Sequence, residues 1–425
     1  MMRRLLLLLL ALPCIADEVH HRGEWLVADG VISRALVADP AKWIATREAF
    51  IRAHAPKSAR LPVVYKLDED FVVAARTRKS ISVVDECGEA LCGVATDELV
   101  GEWEVADLRI LRAPPRRRAA AWRPHSEVRP PIRGATVSVV NRIERHLIAN
   151  ESKLVFARLK ALGYNSISLI PFAGLRGDEV VPFDRHPAGE TDLSMKLAAV
   201  RAHALGMQVM LKPHVWPRGG DPTKFEPRSW ETWFANYEQY LVHAAQLARD
   251  INAEWLCIGT ELSRSESRPE WRRLIKVVRA IYPGRITYAA NFDAFERTPF
   301  WRELDAIGVD AYFPLATAMD ATDAQLLAGA RDAVARMQRV AKANGRNVIL
   351  TELGYPSTPG AWIDPWTEHR DREPDVTAQS RSFTAMMTAM REAPFISGYF
   401  IWKYESDPAF EDAKGYLPKA LTAAP

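Results

Sequence analysis

Residues 254–262 read EWLCIGTEL and residues 347–356 read NVILTELGYP. In both, an apolar run of strand length ends in Thr-Glu-Leu, so Glu261 and Glu352 stand where a buried strand runs out. Six further runs of the same kind flank them, which gives eight expected strands: Ala135–Val140, Ser166–Pro171, Gln208–Lys212, Trp255–Thr260, Arg285–Ala290, Ala306–Tyr312, Asn347–Glu352 and Ser397–Trp402. Helix-like segments lie between them. In one, Leu193, Leu197, Val200 and Ala204 recur at the spacing of a single buried face. KALGYNSISLI (160–170) and RAHALGMQVMLK (201–212) each read as a helix closed by glycine and then a strand. Eight strand-helix units imply an α/β fold in which a parallel sheet closes into a (β/α)8 TIM barrel. An open doubly wound sheet would carry a glycine-rich phosphate loop after its first strand, and TVSVVNRIERH (136–146) has no glycine.

The chain has 425 residues, enough for one barrel and a smaller module. Its 56 basic and 53 acidic side chains nearly cancel, which argues against a nucleic-acid partner and suits a neutral ligand. Thirteen Trp residues supply flat apolar faces of the kind that stack on sugar rings, or simply core mass.

Residues 1–16 read as a signal peptide: a basic start at Arg3 and Arg4, an apolar stretch from Leu5 too short to span a bilayer, and Ala16 at the cleavage point. The mature chain then begins at Asp17, secreted or periplasmic, with no membrane span. Two other readings stay open, lipidation at Cys14 and an uncleaved anchor. Residues 17–112 lack helix-strand alternation and read as a small β-rich accessory domain, with strands at Leu61–Tyr65, Phe71–Ala75, Ser80–Val84 and Glu102–Leu111 after a helix at Ala41–His54. Export makes a Cys87–Cys92 disulfide the expected state of DECGEALCG (85–93). Cys257, inside an apolar run, reads as a buried free thiol. Residues 113–130, rich in Pro and Arg, read as a linker to the barrel domain at 131–425.

In such a barrel the chemistry gathers where the strands end at their C-terminal side. There the chain reads KPHVW (212–216), IGTEL (258–262), AANFD (289–293), GVDAYFP (308–314), LTELGYP (350–356) and FIWKYE (400–405). Glu261 ends strand four and Glu352 strand seven. A buried strand-end carboxylate is costly to desolvate, and two of them across a barrel mouth suit the hydrolysis of a glycosidic bond.

These motifs resemble glycoside hydrolase clan A, and IGTEL with ILTELGYPS, KPHVW and AANFD resembles glycoside hydrolase family 113, the endo-β-1,4-mannanase family, over residues 131–407. Thr260, where much of the clan has Asn, fits the narrower match. The resemblance implies a retaining O-glycosidase with Glu261 as acid/base and Glu352 as nucleophile. It implies that His214 and Asn291 bond the sugar, that Tyr312 donates to Glu352, and that Trp402 floors the ring. Trp216 and Trp362, on loops beyond strands three and seven, stand where further subsites would lie. Each also has a plain structural reading, such as core packing for Tyr312 or a helix cap for Asn291. The expected partner is a polysaccharide or oligosaccharide; neither metal nor organic cofactor is needed. Rival readings are a metal-dependent hydrolase using His214, Asp293 and Asp310, a non-catalytic polysaccharide-binding barrel, and a clan A enzyme acting on another β-glycan.

Overall fold

A computed structural model of the chain describes residues 131–139, 147, 152–176, 179–182, 192–217, 220–407 and 409–419, together with short strands between 26 and 95. Residues 1–121 and the barrel strands fall in two separate compact units.

The barrel closes from eight parallel strands: β1 (Ile132–Ser138), β2 (Ser166–Leu169), β3 (Gln208–Leu211), β4 (Trp255–Thr260), β5 (Arg285–Asn291), β6 (Ile307–Asp310), β7 (Val348–Leu353) and β8 (Ile396–Glu405). The last pairs with the first, Tyr399 beside Arg133, so no sheet edge is left open. Every expected barrel strand is present, and β8 runs three residues further than Trp402. Strands that are buried on both faces read as mainly apolar runs that also take small serines and threonines such as Ser166, Ser168 and Thr136, which is why the sequence marks them. Their inward side chains, among them Met210, Trp255, Cys257, Ala289, Ile349 and Phe400, form the barrel core. Cys257 is a buried free thiol.

Six α-helices lie among the described residues: α1 (Ser152–Ala161), α2 (Asp192–Ala204), α3 (Trp230–Asp250), α4 (Glu270–Ile281), α5 (Asp323–Asn344) and α6 (Val376–Arg391). Local sequence fixes their ends. Gly163 and Gly206 take φ of 96° and 65° after α1 and α2, the left-handed step that turns a helix back toward the next strand. Ser229 caps α3 through the Thr232 amide, and Thr322 with Gln325 forms a reciprocal capping box on α5, each worth about 1 kcal/mol. Inside α3, Trp233 stacks on Tyr237 with ring centroids 4.6 Å apart, adding about 1 kcal/mol beyond the area buried.

The expected buried face of α2 is corrected by the structure. Met195, Ala198, Ala199 and Ala202 are buried, while Val200 is 45% exposed and Ala204 is also on the open side. Val200 and Ala204 therefore leave the expected face, while the side chains of Leu193 and Leu197 lie outside the described residues.

In the N-terminal unit, Tyr65–Lys66, Val72–Arg76, Ser80–Val84 and Ala90–Ala95 form an antiparallel four-stranded sheet in that order, and Leu26–Ala28 pairs with Val31–Ser33. Cys92 sits on the last of the four, opposite Val83. The signal peptide at 1–16, the helix at 41–54, the strand at 102–111, Cys87 with its expected disulfide, and the linker at 113–130 lie outside the described residues.

Candidate active site

Three strand-end polar residues stand level across the barrel mouth: Asn291 pairs with Asp310, and Asp310 with Glu352, in the β5–β6 and β6–β7 registers. Glu352, 4% exposed, is gripped from two sides. The Tyr312 hydroxyl donates to its Oε2 at 2.6 Å, and the Lys212 ammonium at the end of β3 donates to Oε1. Lys212 is fully buried and also pairs with Asp310 at 3.6 Å. Burial pulls the lysine toward its neutral form, but Asp310 and then Glu352 more than offset this and hold it charged.

Asp310 has one oxygen bonded by the Thr351 hydroxyl at 2.7 Å, while Oδ2 has no hydrogen-bond partner among the described residues. Burial, then the charge on Glu352, pushes its carboxyl up to about 7. One buried cation thus serves two carboxylates.

Glu261 is different. It follows β4 in a left-handed conformation, φ 53°, which costs a non-glycine residue about 1 to 2 kcal/mol. Its own amide bonds Ala289 O at 2.8 Å, the next amide bonds the Tyr288 hydroxyl at 2.9 Å, and Ser263 N–H closes on Glu261 O at 2.8 Å. Among the described residues nothing donates to its carboxyl. The residue keeps a part-exposed surface, yet burial of the carboxyl, followed by the charges of Asp310 and Glu352, raises its pKa well above the ordinary carboxylate value. The two glutamates are therefore unlike: Glu352 accepts from Lys212 and Tyr312, whereas Glu261 has no donor among the described residues and its pKa is raised by burial and by the charges of Asp310 and Glu352.

His214 and Asn291 carry unused polar atoms toward the interior. Both ring nitrogens of His214 and Oδ1 of Asn291 are buried without partners among the described residues. Burial and the nearby Lys212 hold His214 neutral, so it offers one donor and one acceptor. Its ring lies 5.2 Å from that of Phe172 and 5.3 Å from that of Trp216. Trp402 on β8 is part-exposed and has the Lys212 ammonium 5.7 Å from its ring centroid.

Trp216 ends the short strand His214–Trp216 and is 43% exposed, an available flat face. Trp362 is not. It is 2% exposed, its Nε1–H bonds Ala318 O at 2.9 Å, and the Arg381 guanidinium lies 4.8 Å from its ring. The subsite expectation for Trp362 is thus corrected: its polar tip and its face are both used to tie down the loop after β7.

Sequence reasoning missed three members of the site. Lys212 was visible in KPHVW as a cation ending an apolar strand, a signal as strong as the glutamates themselves. Asp310 entered only as a metal ligand. Tyr416, which packs edge-on against Tyr312 at 5.9 Å and donates to Pro365 O at 2.6 Å, gave no sequence signal because it arrives from the C-terminal segment. Among the described residues no three His, Cys, Asp or Glu side chains are grouped to hold a metal ion.

A closed eight-stranded parallel barrel with glutamates ending β4 and β7 defines a glycoside hydrolase of clan A. The chain belongs to Glycoside Hydrolase Family 113, whose sequence profile matches residues 146–415. A β-mannanase of that family from Alicyclobacillus acidocaldarius, AaManA, is 26% identical, with a TM-score of 0.59 over 67% of this chain and 91% of its own. Another solved family 113 β-1,4-mannanase is 22% identical, with a TM-score of 0.60 over 68% of this chain and 96% of its own. A search of curated proteins found no match. Family membership implies a carbohydrate substrate, and among the described residues no helix is long and apolar enough to cross a membrane.

Proposed function

We propose that the protein is an exported, retaining endo-type hydrolase of β-1,4-linked mannan that works by double displacement. One observation carries the reading: Glu352 receives two buried donors, Lys212 and Tyr312, while Glu261 has none among the described residues and burial with the charges of Asp310 and Glu352 raises its pKa. The family 113 β-mannanases it resembles support the choice of sugar.

In the first step Glu352 attacks the anomeric carbon, the bond to the leaving oxygen breaks, and that oxygen takes the proton of Glu261. Esterification removes the charge of Glu352, which lowers the pKa of Glu261 and turns it into a base. It then takes a proton from water, the hydroxyl bonds the anomeric carbon, and Glu352 leaves with its electron pair. Net configuration is kept. His214 and Asn291 meet the sugar hydroxyls with their unused atoms, and Trp402 lies under the ring. The same proposal takes residues 1–16 as an export signal ending at Ala16 and the β-rich unit as an accessory module.

A panel of mannan, β-glucan, chitosan and xylan, with released oligosaccharides as the readout, tests the assignment. Hydrolysis of mannan alone supports it; turnover of another β-glycan instead moves the protein within the clan, and turnover of none leaves a binding protein.

A further inference from the structure

Glu266 is a buried carboxylate that the mechanism does not use. It is 4% exposed and has no ion-pair partner among the described residues, an expensive arrangement unless its hydrogen bonds serve a purpose. The Tyr288 hydroxyl donates to its Oε1 at 3.1 Å and the Thr298 hydroxyl to its Oε2 at 2.7 Å. Tyr288 in turn accepts the Leu262 N–H at 2.9 Å. Leu262 directly follows Glu261, whose backbone is left-handed.

The amides around that turn differ in how they are held. Glu261 N–H reaches a strand carbonyl, Ala289 O, and Ser263 N–H closes locally. Leu262 N–H instead depends on a hydroxyl that can rotate. A tyrosine oxygen accepts at a fixed place only when its own proton has somewhere to go, and Glu266 is where it goes. The ring itself is clamped by Trp271 at 5.2 Å and Phe300 at 5.4 Å, so the hydroxyl position is set by packing and its direction by Glu266.

We infer that Glu266 is a positioning residue: through Tyr288 it fixes the Leu262 amide and with it the turn that aims Glu261. The inference rests on the acid/base role proposed for Glu261. Burial pushes the Glu266 carboxyl up to about 7, against its hydrogen bonds and Arg297 and with Asp293 adding repulsion. Neutral or charged, Oε1 still accepts from Tyr288, so an amide in its place should serve.

The experiment compares Glu266→Leu, Glu266→Gln and Tyr288→Phe in the full chain, on a mannooligosaccharide and on a dinitrophenyl β-mannoside whose leaving group needs little protonation. Glu266→Leu and Tyr288→Phe should lower kcat/KM about 10- to 100-fold on the oligosaccharide and less than about 3-fold on the aryl glycoside, because a misaimed acid harms the step that needs a proton. Glu266→Gln should stay within about 3-fold of the parent on both. Equal losses on the two substrates, or a Gln variant as poor as Leu, overturns the inference. Tyr288→Phe keeps the ring and its packing, so it decides the matter if Glu266→Leu does not fold. Amide exchange of the segment 261–266 gives a readout that needs no activity: it should be about 10-fold faster in Glu266→Leu and Tyr288→Phe and unchanged in Glu266→Gln. Unaltered exchange in the first two overturns the inference, whereas a parent protein inactive on both sugars overturns only the proposed function.

Discussion

Tyr312 donates its hydroxyl proton to Glu352 Oε2 at 2.6 Å, from the loop after β6 to the end of β7. The bond is charge-assisted and buried, the kind whose loss is felt most. Tyr312→Phe should therefore lower kcat about 10- to 100-fold with little change in KM, since the ring and its packing on Tyr416 remain. An unchanged kcat in steady-state assays on mannan would remove Tyr312 from the reaction.

The two glutamates should fail differently. Glu352→Ala forms no glycosyl-enzyme and should lose all turnover, with azide restoring it and inverting the product. Glu261→Ala should keep attack on activated aryl glycosides, stall at the intermediate, and release a retained glycosyl azide. NMR of the product anomers checks both, and identical anomers from the two variants would sink the roles.

The pH profile follows from the charges around Glu261. Burial and the negative charges of Asp310 and Glu352 raise its pKa, so the acid is present below that raised value and is lost as pH rises through it. Asp310→Asn removes the neighbour with the largest charge effect on Glu261. The basic limb of kcat/KM should then move to lower pH. A limb that stays or moves upward contradicts the geometry.

Lys212→Met would leave the buried carboxylates Glu352 and Asp310 facing each other without a cation. A loss of about 3 to 5 kcal/mol is expected in urea unfolding, because removing one member of a buried set strands the other.

Two tryptophans separate binding from packing. Trp216→Ala should raise KM for long oligosaccharides and leave folding within about 0.5 kcal/mol, as for an exposed side chain. Trp362→Ala should cost about 3 to 5 kcal/mol of stability instead. The reverse pattern in calorimetry and kinetics would exchange their roles.

The barrel could be read from the chain because its buried strands are short β-branched or apolar runs, with mainly small serines and threonines among their buried polar positions, and Gly163 and Gly206 punctuate the helices between them. Glu261 and Glu352 could be read for the same reason, as the first charged groups after such runs. Where several segments converge, the reading stopped. Tyr416 reaches Tyr312 from far along the chain, and Tyr288 reads as one more core aromatic until its hydroxyl is seen between Leu262 and Glu266. On α2 the spacing of larger aliphatic side chains marked Val200, whereas the buried positions include Met195 and three alanines, and Trp362 misled because a loop position says nothing about which way a ring turns.

The Lys212 pairing with both Asp310 and Glu352 bears on the lifetime of the intermediate. In the double displacement proposed above, ester formation at Glu352 withdraws its share of the ammonium, and the same loss of charge makes Asp310 a stronger acid. Asp310, 3.6 Å from the ammonium, is then its remaining carboxylate neighbour. The barrel mouth passes from one cation between two carboxylates to one cation beside one. On the proposed mechanism the ammonium thus keeps a carboxylate neighbour while the ester lasts, and no counter-charge has to be recruited from solvent.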